Sequence, residues 1–331
     1  MAEVSLQNIS KSFGNQIALQ SVNMLVPDGS FVVLLGPTGA GKTTILRIVS
    51  GLDKPDSGQV IINGEDAANQ SPAQRNMAMV FQQYSLYPHL SVRQNLAFPL
   101  KSPMLRTPAD EIERKVAEVA EVLQISHKLD NKATELSGGE MQRVSIGRAL
   151  VRNPQIYLMD EPLSSLDAKL RSDLRIELKR IQASLGATML YVTHDQIEAM
   201  TMATHVGVLD HGRLVQFGPP REIYENPISI YAASRLGSPK INILPASLFL
   251  GAPHGAVQIG LRSEHIRIGE GPEASVERVE HLGDQTRLHL KLGGQDLITL
   301  TDPHTKLAKG DRLKISPKDP LYFNASGERI R

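Results

Sequence analysis

Residues 36–44 read Gly-Pro-Thr-Gly-Ala-Gly-Lys-Thr-Thr, which sets Gly36, Gly39 and Gly41 ahead of a lysine and two hydroxyls. At the glycines the missing Cβ lets the backbone turn tightly and aim its N–H groups at one anion. Pro37, Thr38 and Ala40 complete the loop. Lys42 then places a mobile ammonium on the β- and γ-phosphates of a polyphosphate, and Thr43 offers a hydroxyl to Mg²⁺ while Thr44 follows it. The chemistry of this spacing is capture of a nucleoside triphosphate. The bland alternative is a glycine-rich turn that binds nothing.

Other groups along the chain can act on such a phosphate. Asp160 and Glu161 are adjacent carboxylates that end the apolar run Gln155–Met159. A strand alternates its side chains, so the two acids point differently and take separate roles. Asp160 can hold Mg²⁺ through water, and Glu161 can polarise the water that attacks the γ-phosphate. Gln82 follows the short apolar run Met77–Phe81, and its amide can reach Mg²⁺ or the same water. His194 ends a third run and can contact the γ-phosphate, although an isolated histidine is more often structural. Ser137 and Glu140 have capping-box spacing for a helix start. Between them, Gly138 and Gly139 let a second anion approach the N-terminal N–H groups. Phe13, in a chain with only 4% aromatic residues, can stack on a purine, the alternative being an ordinary core phenylalanine.

A scaffold must bring these groups together. Phe31–Leu35 is a continuous apolar stretch of the buried parallel-strand kind, and Ile45, Leu46, Ile48 and Val49 continue as a helix that stops near Gly51. Strand, glycine loop and helix is the order a phosphate cradle needs. Val4–Ile9 and Ile17–Val26 read as strands around the turn Gly14-Asn15, and a turn cluster at 53–58 leads into a strand at Gln59–Ile62. Thr188–Val192 is a strand delivering Thr193-His194-Asp195, and ligands of α/β sheets collect at such carboxyl ends. From Leu86 to about Pro154 the pattern is helical, with Ile112, Val116, Val119 and Leu123 on one face. Tyr84–His89 carries apolar residues without a period, as in a buried corner or an exposed docking surface.

Length and composition bound the rest. The 331 residues suggest about two domains. Lys and Arg total 36 against 35 Asp and Glu, too balanced to point to nucleic acid. The absence of cysteine excludes disulfides and thiolate metal sites and suits a reducing compartment. Residues 1–10 contain no signal-peptide core, and nowhere do ~18 apolar residues run together, so a soluble cytoplasmic chain is expected.

After about Arg235 the composition changes. Gly237-Ser238-Pro239-Lys240 is linker-like, and Leu288, Leu290 and Leu292 alternate strictly before a Gly293-Gly294 hairpin turn. Leu313 and Ile315 begin another short strand. The expected fold class is therefore α/β, a P-loop ATPase with a parallel-sheet core and a helical subdomain inserted at about 86–154. Residues 1–235 are expected to form this nucleotide-binding domain, and 236–331 a small all-β barrel. That barrel lacks the stacking aromatics and basic groove that single-stranded nucleic acid requires.

Taken in order, these motifs resemble the ATP-binding subunits of ABC transporters. Phe13 matches the adenine-stacking aromatic, Gly36–Thr44 the Walker A loop and Gln82 the Q-loop glutamine. Leu136–Glu140 matches the signature loop, Asp160 and Glu161 the Walker B acids, Ser165-Leu166-Asp167 the D-loop and His194 the switch histidine. Each is weak or moderate alone; the ordered series is specific. The resemblance implies ATP and Mg²⁺ as cofactors, with Thr43, Gln82 and Asp160 serving the metal and Glu161, His194 and Gln82 serving hydrolysis. It places Ser137, Gly138, Gly139, Glu140 and Asp167 at nucleotide held in an ATP-sandwich dimer with a second copy. It further implies two transmembrane permease subunits, an extracytoplasmic solute-binding protein acting indirectly, no nucleic acid, and a peripheral place on the cytoplasmic face of a bacterial inner membrane.

Glu140 stands where the family usually has Gln. A carboxylate there can accept a hydrogen bond from a ribose hydroxyl but cannot donate one, which implies modest tuning. The stretches Phe81–Val92, Asp160–Arg171 and Tyr191–Met200 narrow the resemblance to the maltose-type group, which imports sugars, polyols or glycerol phosphate. Importers of polyamines, ferric ion or oxyanions are the alternative. The C-terminal stretches Gly260–His265 and Gly310–Phe323 resemble the OB-like regulatory domain of these importers, with Ser263 replacing a usual Pro and the domain shorter than is common. The alternative of another class is a soluble, non-transport ABC ATPase. Repair members of that class insert long heptad stretches and translation factors carry a second phosphate loop, and this sequence has neither. A module that binds ATP without hydrolysis is opposed by Asp160, Glu161 and His194.

Overall fold

The computed structural model describes residues 2–102 and 105–330. The chain divides into two compact units, Met1–Pro220 and Arg221–Arg331. The composition change near Arg235 lies inside the second of these, because buried Arg262 gathers the preceding segment. Its guanidinium donates to the carbonyls of Tyr224 and Ala233, each at 3.0 Å, and of Leu236.

In the first unit the strands are β1 (Val4–Phe13), β2 (Gln16–Val26), β3 (Phe31–Leu35), β4 (Ser57–Ile62), β5 (Glu65–Asp66) and β6 (Met77–Val80). They continue with β7 (Ile156–Asp160), β8 (Thr188–Thr193), β9 (His205–Asp210) and β10 (Arg213–Gly218). The helices are α1 (Lys42–Ser50), α2 (Val92–Ala97), α3 (Ala109–Val122), α4 (Gly138–Leu150), α5 (Ala168–Leu185) and α6 (Gln196–Met202). A six-stranded sheet runs β10-β9-β3-β8-β7-β6, parallel from β9 to β6, and an antiparallel four-stranded sheet runs β2-β1-β4-β5. β3, β7 and β8 are buried at every position, as their continuous apolar runs require.

α1 has nine residues, fewer than the ~12–15 an isolated helix needs, and its N-cap Gly41 has no side chain to offer. Packing holds it instead. Ile45, Leu46, Ile48 and Val49 are fully buried in a core that also contains Leu34, Leu158, Leu190 and Val192, worth roughly 1.5–3 kcal/mol per side chain. Arg75 closes its far end by donating to the carbonyls of Ile48 at 2.8 Å and Val49 at 2.7 Å.

The expected helical stretch contains α2, α3 and α4, and α2 packs on both of the others. α3 buries Ile112 and Val116 on the face its 3.6-residue pattern marks.

The second unit includes β11 (Asn242–Pro245), β12 (Gln258–Leu261), β13 (Ile266–His281), β14 (Thr286–Leu292), β15 (Gln295–Thr301), β16 (Arg312–Pro317), β17 (Leu321–Phe323) and β18 (Arg329–Ile330). Where the sequence suggested a small barrel, these form two four-stranded antiparallel sheets, β11-β12-β17-β18 and β15-β14-β13-β16, over a shared core. Leu288, Leu290 and Leu292 face that core from one side of β14, and Leu290 pairs with buried Leu297 across the hairpin. Among the described residues no helix is long and apolar enough to cross a membrane.

Candidate active site

Sheet register sets four of the expected groups on one edge. In the parallel strands Leu35 lies opposite Thr193, Asp160 opposite Val192, and Val80 opposite Met159. The residues that follow at the carboxyl ends are therefore Gly36, His194, Glu161 and, after Phe81, Gln82. This is the edge where α/β sheets bind ligands.

The loop from β3 to α1 is tight enough to require glycine. A Cβ on Gly36 would lie 2.7 Å from the Leu209 carbonyl oxygen, and one on Gly41 would lie 2.5 Å from that of Ala18. Gly41 also stands at φ 96°, a left-handed conformation that L side chains rarely adopt. Buried Lys42 folds back, its Nζ donating to the carbonyls of Gly36 at 2.9 Å and Pro37 at 3.1 Å. The same Nζ lies 3.5 Å from Glu161 Oε1. Thr43 donates its hydroxyl to Asp160 Oδ1 at 3.0 Å, joining the start of α1 to the end of β7.

The two acids diverge for a reason other than strand alternation. Asp160 is the last residue of β7, and Glu161 leaves the strand at φ 45°, a conformation that costs about 1–2 kcal/mol for a non-glycine residue. Its N–H donates to the Val192 carbonyl at 3.0 Å, and its Oε2 meets His194 Nδ1 at 3.0 Å. Glu161 thus sits between an ammonium and an imidazole. The His194 side chain is 60% exposed, so it reaches outward from the edge. Burial pushes the Asp160 carboxyl above its ordinary range, an effect the Thr43 hydroxyl offsets in part. A hydroxyl and a buried carboxylate side by side are hard oxygen ligands that fit Mg²⁺.

Gln82 is exposed two residues beyond β6. Phe13 ends β1 and is 51% exposed, so it is not a core residue; Lys11 Nζ lies 5.4 Å from its ring centre.

The Ser137–Glu140 group is built as its spacing predicts. Ser137 caps α4, its Oγ accepting from the Glu140 N–H at 3.4 Å, and Glu140 Oε2 accepts from the Ser137 N–H at 2.8 Å. Glu140 Oε1 is 3.2 Å from Lys128 Nζ. The Ser137 N–H above all, then its hydroxyl and Lys128, hold the Glu140 carboxyl below its usual range. Among the described residues no hydrogen bond or ion pair joins this group to Lys42, Thr43, Asp160, Glu161 or His194. The chain carries two separate constellations.

Asp167 belongs beside the second. Its Oδ1 accepts from the N–H groups of Lys169 and Leu170, both at 3.1 Å, and so caps α5. A Cβ on Gly139 would lie 2.1 Å from Leu170 Cδ2, so α4 and α5 touch at their N-terminal ends.

Sequence reasoning missed two supporting residues. The Tyr84 hydroxyl lies 3.2 Å from Ser165 Oγ, and a Cβ on Gly138 would also sit 3.2 Å from it. Its place two residues after Gln82 was the available signal. Asn95, fully buried, accepts from the Tyr87 N–H at 2.9 Å and donates to the carbonyls of Tyr87, Leu90 and Ser91 at 3.1–3.2 Å. A lone Asn in a helical pattern gives no such signal. With it in place, Tyr87 packs against Phe98 at 4.3 Å between ring centres while Pro88 and His89 stay exposed.

Known proteins resemble this chain along its length. A family profile described as "ABC transporter" matches residues 19–164, and one described as "TOBE domain" matches residues 259–320. The chain is 46% identical to a protein of Ruegeria pomeroyi named sn-glycerol-3-phosphate import ATP-binding protein UgpC, covering 100% of this chain and 99% of the relative. It is 43% identical to the protein of that name in Brucella abortus, again over 100% and 99%. Among solved structures, cbiO1 of Clostridium perfringens, part of the ABC transporter complex cbiONQ, superposes with a TM-score of 0.63 at 27% identity, covering 67% of this chain and 90% of that one. A bacterial ABC transporter cassette in dimeric form gives 0.59 at 31% identity, covering 66% and 99%.

Proposed function

The chain belongs to the ATP-binding subunits of ABC transporters, and from that premise we propose that it hydrolyses MgATP to energise uptake of a carbohydrate or polyol. The observation that carries the reading is the linked set at one sheet edge: Thr43 bonded to Asp160, and Glu161 held between Lys42 and His194. Phosphates lie along Gly36–Thr44, with Lys42 on the β- and γ-oxygens, and Phe13 stacks on the base. Thr43, Asp160 and Gln82 would hold Mg²⁺, which would supply neutralising charge to the phosphates. Glu161 takes the proton of the attacking water, and His194 orients both Glu161 and the γ-phosphate.

The separation of the two constellations supports a dimer. In a two-fold pair each surface is used twice, so the Ser137-Gly138-Gly139 helix start of one copy meets nucleotide on the other. Tyr84–His89 is the docking surface for the two permease subunits, on the cytoplasmic face of the membrane. A solute-binding protein delivers cargo from the far side, and the relatives named for sn-glycerol-3-phosphate import make that solute the first to test.

Deleting the chain from its host and measuring uptake of labelled sn-glycerol 3-phosphate, sugars and polyols is the test. Uptake of one of these should vanish and return with the wild-type chain but not with Glu161→Gln. Unchanged uptake of all of them, with loss of polyamine, ferric-ion or oxyanion uptake, would move the chain to that group of importers.

A further inference from the structure

α4 and α5 meet twice along their lengths. The first contact is Gly139 on Leu170, next to the two N-caps Ser137 and Asp167. The second lies further along both helices, where Arg143 NH1 donates to Glu177 Oε2 at 2.5 Å and to the Leu123 carbonyl at 2.8 Å. The side chains of this ion pair are only 15% and 13% exposed. Residues 139 and 143 are about one turn apart, and residues 170 and 177 about two. The helices therefore approach at their N-terminal ends and are bridged again further along by these two long side chains, and Leu123, just past α3, is tied to the same guanidinium. Around the pair, Val119, Ile176 and Ile181 line a cleft together with Arg114, Lys115 and Arg180.

We propose that Arg143 and Glu177 are positioning residues for ATP hydrolysis: their ion pair fixes the offset between the Ser137-Gly138-Gly139 helix start and the Asp167 turn, so that both reach a second copy as one rigid edge. The inference rests on the dimer reading above. Gly139 on Leu170 joins the two helices only at their near ends, and the Arg143–Glu177 pair adds a second point between the same two helices. Neither residue touches nucleotide, so breaking the pair spares binding at Gly36–Thr44 and slows the step that needs both copies. Removing one partner also leaves a buried charge uncompensated, so reversal of both charges separates pairing from plain destabilisation.

Full-length Arg143→Gln, Glu177→Gln, Arg143→Lys and the double variant Arg143→Glu/Glu177→Arg test this. Readouts are hydrolysis against MgATP concentration, equilibrium binding of a fluorescent ATP analogue, and dimer formation with ATP by sedimentation. The Gln variants should lose about tenfold or more in kcat and in dimer formation, with nucleotide Kd within about twofold of wild type. Arg143→Lys and the charge-reversed double should recover most of both. The proposal is overturned by Gln variants with wild-type kcat, by Kd and kcat falling together, or by a double variant as slow as the worse single. Should the wild-type chain hydrolyse no ATP, the functional reading fails first. Dimer formation then still decides whether the pair positions the edge, and Arg143→Lys does so if a Gln variant does not fold.

Discussion

His194 Nδ1 lies 3.0 Å from Glu161 Oε2, while the other oxygen of that carboxylate faces Lys42 Nζ at 3.5 Å. One acid is held from both sides, by the residue that follows β8 and by the first residue of α1. Its position thus reports on both the phosphate loop and the outward-reaching histidine.

Glu161→Gln should keep MgATP binding and lose about 10²–10⁴ in turnover, the usual contribution of a positioned base. The amide can still meet Lys42 and His194, so geometry survives while proton acceptance does not. Single-turnover hydrolysis together with retained ATP measures it; near-normal turnover in the assembled transporter would remove Glu161 from the role.

Lys42→Ala should weaken nucleotide binding itself by about one to two orders of magnitude, the scale of lost hydrogen bonds from a charged group. Mixed with Ser137→Arg subunits it also tests the shared site. The mixed dimer has one site damaged in both halves and one intact, so its activity should exceed that of either parent. If every mixture is as inactive as its parents, counting trapped nucleotide distinguishes a one-chain site from two sites that must fire together.

The Asp160 carboxyl is raised by burial above its ordinary 3.8, and this fixes the sign of a pH effect. A raised pKa means the folded chain binds the proton more tightly than the unfolded one. The contribution is favourable below the unfolded pKa and is lost as pH rises through the folded value. Without Mg²⁺ or nucleotide, Asp160→Asn should therefore raise Tm at pH 7, with little gain near pH 3. Calorimetry at both pH values checks it. The variant should at the same time lose Mg²⁺-dependent hydrolysis.

Because the chain has no cysteine, single cysteines placed along Tyr84–His89 report contacts without background. Crosslinks from the exposed positions 88 and 89 to a permease are expected. Crosslinks only from elsewhere on the chain would move the interface.

The sequence reading succeeded where a residue's neighbours dictate its type. Ser137 and Glu140 cap a helix through contacts three residues apart, and Gly36 and Gly41 sit where no Cβ fits. It failed where partners come from afar. Arg75 closes α1 from 27 residues away, and Tyr84 meets Ser165 across 81 residues. Nothing local marks either pairing. Arg262 likewise gathers Tyr224, Ala233 and Leu236 by donations that span 26 to 38 residues. The separate roles expected of Asp160 and Glu161 were argued from strand alternation, whereas Glu161 has left the strand at a left-handed backbone position, which is invisible in an acidic pair.

Asn95 gives the Tyr87–Ser91 turn mechanical stiffness. Four hydrogen bonds to one fully buried amide leave this pad little freedom to yield under load. A force applied at His89 is passed into α2, and from α2 into α4, against which it packs. In the docking proposed above, the segment would work as a push-rod and not as a tether, carrying thrust in either direction between a membrane partner and the Ser137 helix start.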